Sequence, residues 1–168
     1  MAFSLGLERT GGFETVAFCE IEPSCKKLLQ HYWPGVAVYD DVQTIIPDKS
    51  VEMVTAGFPC QDESVAGKRA GLAGSNSGLF WHVVRAIRMV GHSWALLENV
   101  AGLLTRDMGV VLGALAESGR DAEWDCISAG EIGAPHKRER VWILAHPERD
   151  QQSREKPCFG TFGRVGRV

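Results

Sequence analysis

Short apolar runs of β-forming residues alternate with helical segments along most of this chain, and that alternation restricts its fold more than any other feature. TVAFCEI (15–21), VAVY (36–39), VEMVTA (51–56), SWALLEN (93–99), AEWDCISA (122–129) and RVWILA (140–145) read as strands. FSLGLERT (3–10) has helical spacing and ends at Gly11 and Gly12, and Pro23 suits the first position of a helix that runs on through CKKLLQHYW. GLFWHVVRAIRMV places Phe80, Val83, Val84, Ile87 and Val90 on one helical face, and MGVVLGALAESG is a helix closed by glycine. Such an order predicts an α/β domain with a mostly parallel sheet and helices on both faces.

A chain of 168 residues suffices for one such domain with a real core. No apolar run approaches the ~18 residues of a membrane span, and the amino terminus lacks the basic and apolar regions of a secretory signal. The five cysteines are scattered, with no C-x-x-C pair and no zinc-finger spacing to histidine, which predicts reduced thiols in a cytoplasmic protein without a metal. The net charge of −3 does not mark a nucleic-acid binder, yet basic residues cluster at Lys68-Arg69 and at Lys137, Arg138 and Arg140. After Pro147 the sequence turns polar and loses periodicity, so residues 1–147 are expected to form the domain and 148–168 a disordered tail.

In a parallel sheet the strand exits gather along one edge, where α/β proteins place their chemistry. Here the exits carry Glu20, Asp40-Asp41, Pro59-Cys60-Gln61 and Glu98-Asn99: acid, acid, thiol, acid. A core cysteine would sit inside an apolar run, whereas Cys60 follows a proline where VEMVTA has already given way to a polar loop. A cysteine phosphatase needs an arginine where Ala66 stands, and a P-loop needs glycine and Ser or Thr where Asp62 and Arg69 stand. A Cys-His hydrolase stays open on spacing alone.

GFPCQ, ENV (98–100) and HKRERVW (136–142), in this order, resemble the DNA cytosine-5 methyltransferase family, and the likeness continues through FCEIEPSCKKLL, YDDVQTI and GKRAGL. The resemblance implies a Rossmann-like S-adenosylmethionine-dependent methyltransferase sheet and double-stranded DNA as substrate. It implies Cys60 as nucleophile on carbon 6 of cytosine, Glu98 as acid toward ring nitrogen 3, Arg140 at the base oxygen and Arg138 beside it. For S-adenosylmethionine it implies Glu20 at the ribose, Asp41 at the adenine amine, and Phe58 and Pro59 lining the pocket. Gln61, Ser64, Lys68, Arg69 and Asn99 fall to the DNA side, with Lys68 and Arg69 suited to phosphates flanking a flipped base.

The sequence departs from the family pattern at both ends. It starts just beyond where a first strand and a glycine-rich F-x-G-x-G-G turn are expected, the residues after Pro147 are not expected to form a target-recognition domain, and His136 stands where many relatives carry glutamine. The expectation is a sheet lacking its first strand, with a second polypeptide as a candidate source of the missing ends. The alternative reading is a catalytically silent fragment that only binds DNA or a protein partner.

Overall fold

The computed structural model describes residues 2–47, 51–59, 78–91 and 93–147. Cys60, Gln61, Ser64, Lys68 and Arg69, and the segment 148–168 expected to be a tail, lie outside the described residues. The chain divides into two compact units, Met1–Pro47 and Asp48–Val168.

The first unit contains α1 (Ala2–Glu8), β1 (Ala17–Cys19), α2 (Pro23–Tyr32) and β2 (Ala37–Tyr39). β1 and β2 pair in parallel, Ala17 opposite Ala37 and Cys19 opposite Tyr39, with α2 as the crossover that a parallel pair requires. α2 starts at Pro23, whose missing N–H costs nothing there, and Glu22 caps it by accepting from the Ser24 N–H at 3.4 Å. The Glu8 carboxylate accepts from the Trp33 indole Nε1–H at 2.9 Å and the Thr15 N–H at 3.1 Å, which fastens α1 to the end of α2. Hydrogen bonds from Thr15 and then Trp33 hold the Glu8 carboxyl below its ordinary value, so this fastening is complete above the usual carboxylate range and is lost on acidification.

The second unit contains β3 (Met53–Gly57), α3 (Gly78–Val90), β4 (Trp94–Val100), the short α4 (Leu103–Arg106), α5 (Met108–Ala116), β5 (Arg120–Ser128) and β6 (Glu139–Pro147). Its sheet runs in the order β3-β4-β6-β5. β3 and β4 are parallel, but β6 lies antiparallel to both β4 and β5, so the mostly parallel sheet expected from the sequence is a mixed one in this unit. The reason is the connection after β5. It offers only residues 129–138, containing a short 3₁₀ helix (Ala129–Ile132), where a parallel return needs a crossover of a dozen or more residues.

One face of this sheet carries the core. Ala95 opposes Ala145 and Leu97 opposes Ile143, and all four are fully buried. Phe80, Val83, Val84 and Ile87 of α3 and Val111, Ala114 and Leu115 of α5 are buried as well, in helices whose apolar residues recur at intervals of three and four. Among the described residues no helix is long and apolar enough to cross a membrane.

A buried arginine ties these elements together. Arg120, the first residue of β5, donates from Nε to the Ser93 carbonyl at 3.3 Å and from Nη1 to the Ser118 carbonyl at 3.1 Å. Its Nη2 donates to the carbonyls of Ile87, at 3.2 Å, and Gly91. The Ile87 and Gly91 carbonyls lie at the carboxyl end of α3, where the last carbonyls lack intrahelical donors and the helix dipole favours a cation. Burial, and then the neighbouring Arg88, lower the affinity of Arg120 for its proton, but a guanidinium keeps its charge throughout the accessible pH range. Replacing Arg120 with Met strands these carbonyls while keeping an apolar stem. Arg120→Met should destabilise the protein by about 3 kcal/mol, read as a lower urea midpoint with an unchanged slope.

Candidate active site

The sheet edge at the exits of β3 and β4 assembles the site. β3 ends with Gly57 opposite Glu98, and the chain then continues through Phe58 and Pro59 toward Cys60. Because β6 runs antiparallel to β4, its first residues arrive at this same edge, with Arg140 opposite Val100 and Trp142 opposite Glu98. Glu98 and Arg140 therefore occupy one sheet face as diagonal neighbours, and the Arg140 Nε lies 2.8 Å from the Glu98 Oε1. Both side chains keep about a quarter or less of their surface exposed (25% and 21%), so water screens the pair only partly. The Arg140 Nη1 donates to the Glu139 carbonyl at 2.7 Å, which fixes the plane of the guanidinium. The antiparallel return thus places a basic strand start beside an acidic strand exit.

Asn99 points the other way. Successive residues of a strand alternate faces, and Asn99 shares the core side with Leu97 and Ala95. It is 3% exposed, and its Nδ2 donates to the Phe58 carbonyl at 3.1 Å. The substrate contact expected of Asn99 thus falls on a side chain turned away from Glu98 and Arg140. Phe58, expected at the cofactor, has its ring in the core against Phe80, with centroids 4.9 Å apart. Arg138 is exposed just ahead of β6, and its carbonyl accepts from the Ala129 N–H at 3.2 Å.

The first unit gathers the remaining carboxylates. Cys19 opposes Tyr39 at the end of the parallel pair, so Glu20 and the Asp40-Asp41 pair leave their strands at the same end. The Glu20 N–H donates to the Tyr39 carbonyl at 2.9 Å, and its Oε1 accepts from the Glu22 N–H at 2.9 Å. Asp41 builds a turn, its Oδ1 accepting from the Gln43 N–H at 2.8 Å and its carbonyl from the Ile45 N–H at 2.9 Å. Asp40 is committed to Lys26, Oδ1 to Nζ 2.7 Å, on an exposed surface. These are two different environments for adjacent acids: Asp41 is fixed by backbone, and Asp40 faces solvent.

Two of the cysteines inside the described residues are poor nucleophiles. Although Cys19 is exposed at the strand end, partial desolvation of its thiol, followed by Asp41 and Glu20, pushes it up from its ordinary value. Burial, followed by Glu139, Asp125 and Glu131, does the same for Cys126. A thiolate is the reactive form, so both stay largely protonated near neutral pH.

The comparisons with known proteins agree with the geometry. The model of the family described as C-5 cytosine-specific DNA methylase matches residues 2–160. The chain belongs to this family. It is 37% identical over 149 residues to the Type II methyltransferase M2.BsuMI of Bacillus subtilis (strain 168), covering 84% of this chain and 38% of that relative. It is 33% identical over 170 residues to M.Sau3AI of Staphylococcus aureus, covering 87% of this chain and 41% of the relative. The chain thus spans roughly two-fifths of the length of these relatives. Among solved structures, the S. pombe Dnmt2 methyltransferase superposes with a TM-score of 0.67 at 18% identity, over 91% of this chain and 49% of that one. The Entamoeba histolytica methyltransferase EhMeth gives 0.63 at 14% identity, over 83% and 47%. The fold is that of the α/β methyltransferases.

Thiol chemistry offers a direct check on this methylase-family chain. Alkylation of Cys19 and Cys126, followed by peptide mass mapping across a pH series, should show midpoints above the ~8.5 of a free cysteine. A midpoint at or below that value for either residue contradicts the desolvation and the carboxylates around it.

Proposed function

We propose that this chain carries the catalytic residues for methyl transfer to carbon 5 of cytosine in double-stranded DNA. The observation that carries this reading is the Glu98–Arg140 pair at 2.8 Å, on the sheet edge where β3 leads toward Cys60. Carbon 5 of cytosine is a weak nucleophile in an electron-poor ring. The Cys60 thiolate adds to carbon 6, a carbon–sulfur bond forms, and the ring electrons move toward nitrogen 3 and the base oxygen. Glu98 shares its proton with nitrogen 3, and Arg140 both orients Glu98 and faces the base oxygen. Carbon 5, now enamine-like, takes the methyl group as the donor's sulfur–methyl bond breaks and that sulfur becomes neutral. The carbon-5 proton then leaves to a base, the carbon–sulfur bond breaks to return Cys60, and the proton at nitrogen 3 goes back to Glu98.

S-adenosylmethionine supplies the methyl group on a positively charged sulfur. Glu20 fits the ribose hydroxyls, since a carboxylate with only Oε1 committed to Glu22 has acceptor capacity left. Asp41 fits the adenine amine, and Pro59 the edge of the pocket. The target carbon is sealed inside a stacked duplex, so the base must leave the stack. Gln61, Ser64, Lys68, Arg69 and the exposed Arg138 serve the DNA side in this reading, the cations on phosphates. DNA is the macromolecular partner it requires, and the comparisons lend no support to the second polypeptide anticipated from the sequence.

The test uses a chimera in which residues 2–147 replace the matching segment of the Bacillus subtilis relative. The chimera should methylate duplex DNA and form a trapped adduct with 5-fluorocytosine DNA, because fluorine cannot leave as a proton does. Cys60→Ser should abolish both, since a hydroxyl is a far weaker nucleophile than a thiolate near neutral pH. Full activity in that variant would falsify the covalent mechanism.

The cofactor assignment has its own check in titration calorimetry with S-adenosylmethionine. Glu20→Ala should weaken binding by about 1–3 kcal/mol, the range for stranding hydrogen-bonding groups. Asp40→Ala, which removes only an exposed ion pair, should change it far less. Equal losses at the two positions would show that the ribose assignment is wrong.

A further inference from the structure

We propose that Asn99 is a positioning residue that fixes the point from which the chain departs toward Cys60; the proposal rests on the reading of Cys60 as nucleophile. The ladder between β3 and β4 ends at Gly57 and Glu98, so the Phe58 carbonyl lies one residue past the last paired position. The Asn99 Nδ2 reaches across and takes that carbonyl at 3.1 Å, acting as a side-chain rung beyond the ladder. The other end of the amide is also occupied, Oδ1 accepting from the Val100 N–H at 2.8 Å. At 3% exposure, with each end of its amide held by a backbone group, Asn99 presents almost no surface to DNA. The Phe58 ring adds a second hold on the same residue, buried against Phe80.

The covalent chain carries this constraint forward. The Phe58 carbonyl and the Pro59 nitrogen and Cα share one peptide plane, so fixing that oxygen fixes the plane. The ring of Pro59 then locks its φ. Between the clasped carbonyl and the Cys60 amide a single soft torsion remains, the ψ of Pro59. An amide on the core face of β4 thereby constrains where the backbone leaves Pro59, while Glu98 and Arg140 pair on the opposite face.

The experiment compares alkylation by iodoacetamide in the full chain, as the rate at Cys60 divided by the rate at the exposed Cys25. Asn99→Ala removes the rung, and the ratio should rise about fivefold, the factor one net hydrogen bond is worth. Arg120→Met, which destabilises the same unit without touching the exit, should leave the ratio as in the unmodified chain. An unchanged ratio in Asn99→Ala, or an equal rise in Arg120→Met, overturns the proposal. Should Asn99→Ala fail to fold, Asn99→Asp keeps the shape and the acceptor for Val100 while losing the donor, and an unchanged ratio there overturns it equally. The nucleophile reading fails separately: methyl transfer by the Cys60→Ser chimera would remove it, while the alkylation ratio would still decide whether Asn99 holds the exit.

Discussion

The second unit depends on the strand β4, because its two faces and two edges are all in use. Its parallel edge sets where β3 stops, and its antiparallel edge sets where β6 starts. Ala95 and Leu97 supply the core on one face while Glu98 pairs with Arg140 on the other. Packing density in such a core leaves little room for adjustment, so the position of Glu98 is inherited from Leu97 and Ile143 beneath it. The carboxylate is placed by burying its neighbours and held by Arg140.

The antiparallel β6 resolves a difficulty that a purely parallel sheet poses. In such a sheet the residues at one edge all come from strand ends, and their side chains are drawn from the loops that follow. A strand running the other way contributes its start to the same edge, so Arg140 sits inside the hydrogen-bonded ladder opposite Val100. A guanidinium on a ladder position is held more firmly than one on a loop, which suits a group that has to meet a carboxylate at one distance.

Much of this was legible in the sequence. VEMVTA, SWALLEN and RVWILA are strands because β-branched and apolar residues run between polar ends, and Pro23 and Gly78 mark helix starts in the structure as in the sequence. The motif at Glu98 and the one at Arg140 lie 42 positions apart yet meet at 2.8 Å, and no local pattern announces that; the resemblance to a family assigned both to one base but did not pair them. The antiparallel return was available from the short span after AEWDCISA, which has no room for a crossover helix. The orientation of Asn99 was available too, since adjacent strand residues cannot serve the same face. Arg120 was not: a lone arginine after a glycine reads as surface, and only the convergence of the ends of α3 and α5 makes it a buried clamp.

The hairpin from β5 to β6 also sets where this chain tolerates changes of length. The connection 129–138 includes Ile132, 77% exposed, and ends at a strand whose register is fixed by Val141, Ile143 and Ala145 in the core. An extra residue near Ile132 is absorbed in the loop and leaves Arg140 in place. A residue gained or lost between Arg140 and Val141 puts the guanidinium on the core face, because side chains alternate with a period of two. Insertions and deletions in relatives should therefore collect in the connection and stop short of Glu139, a boundary drawn by sheet pleat rather than by chemistry.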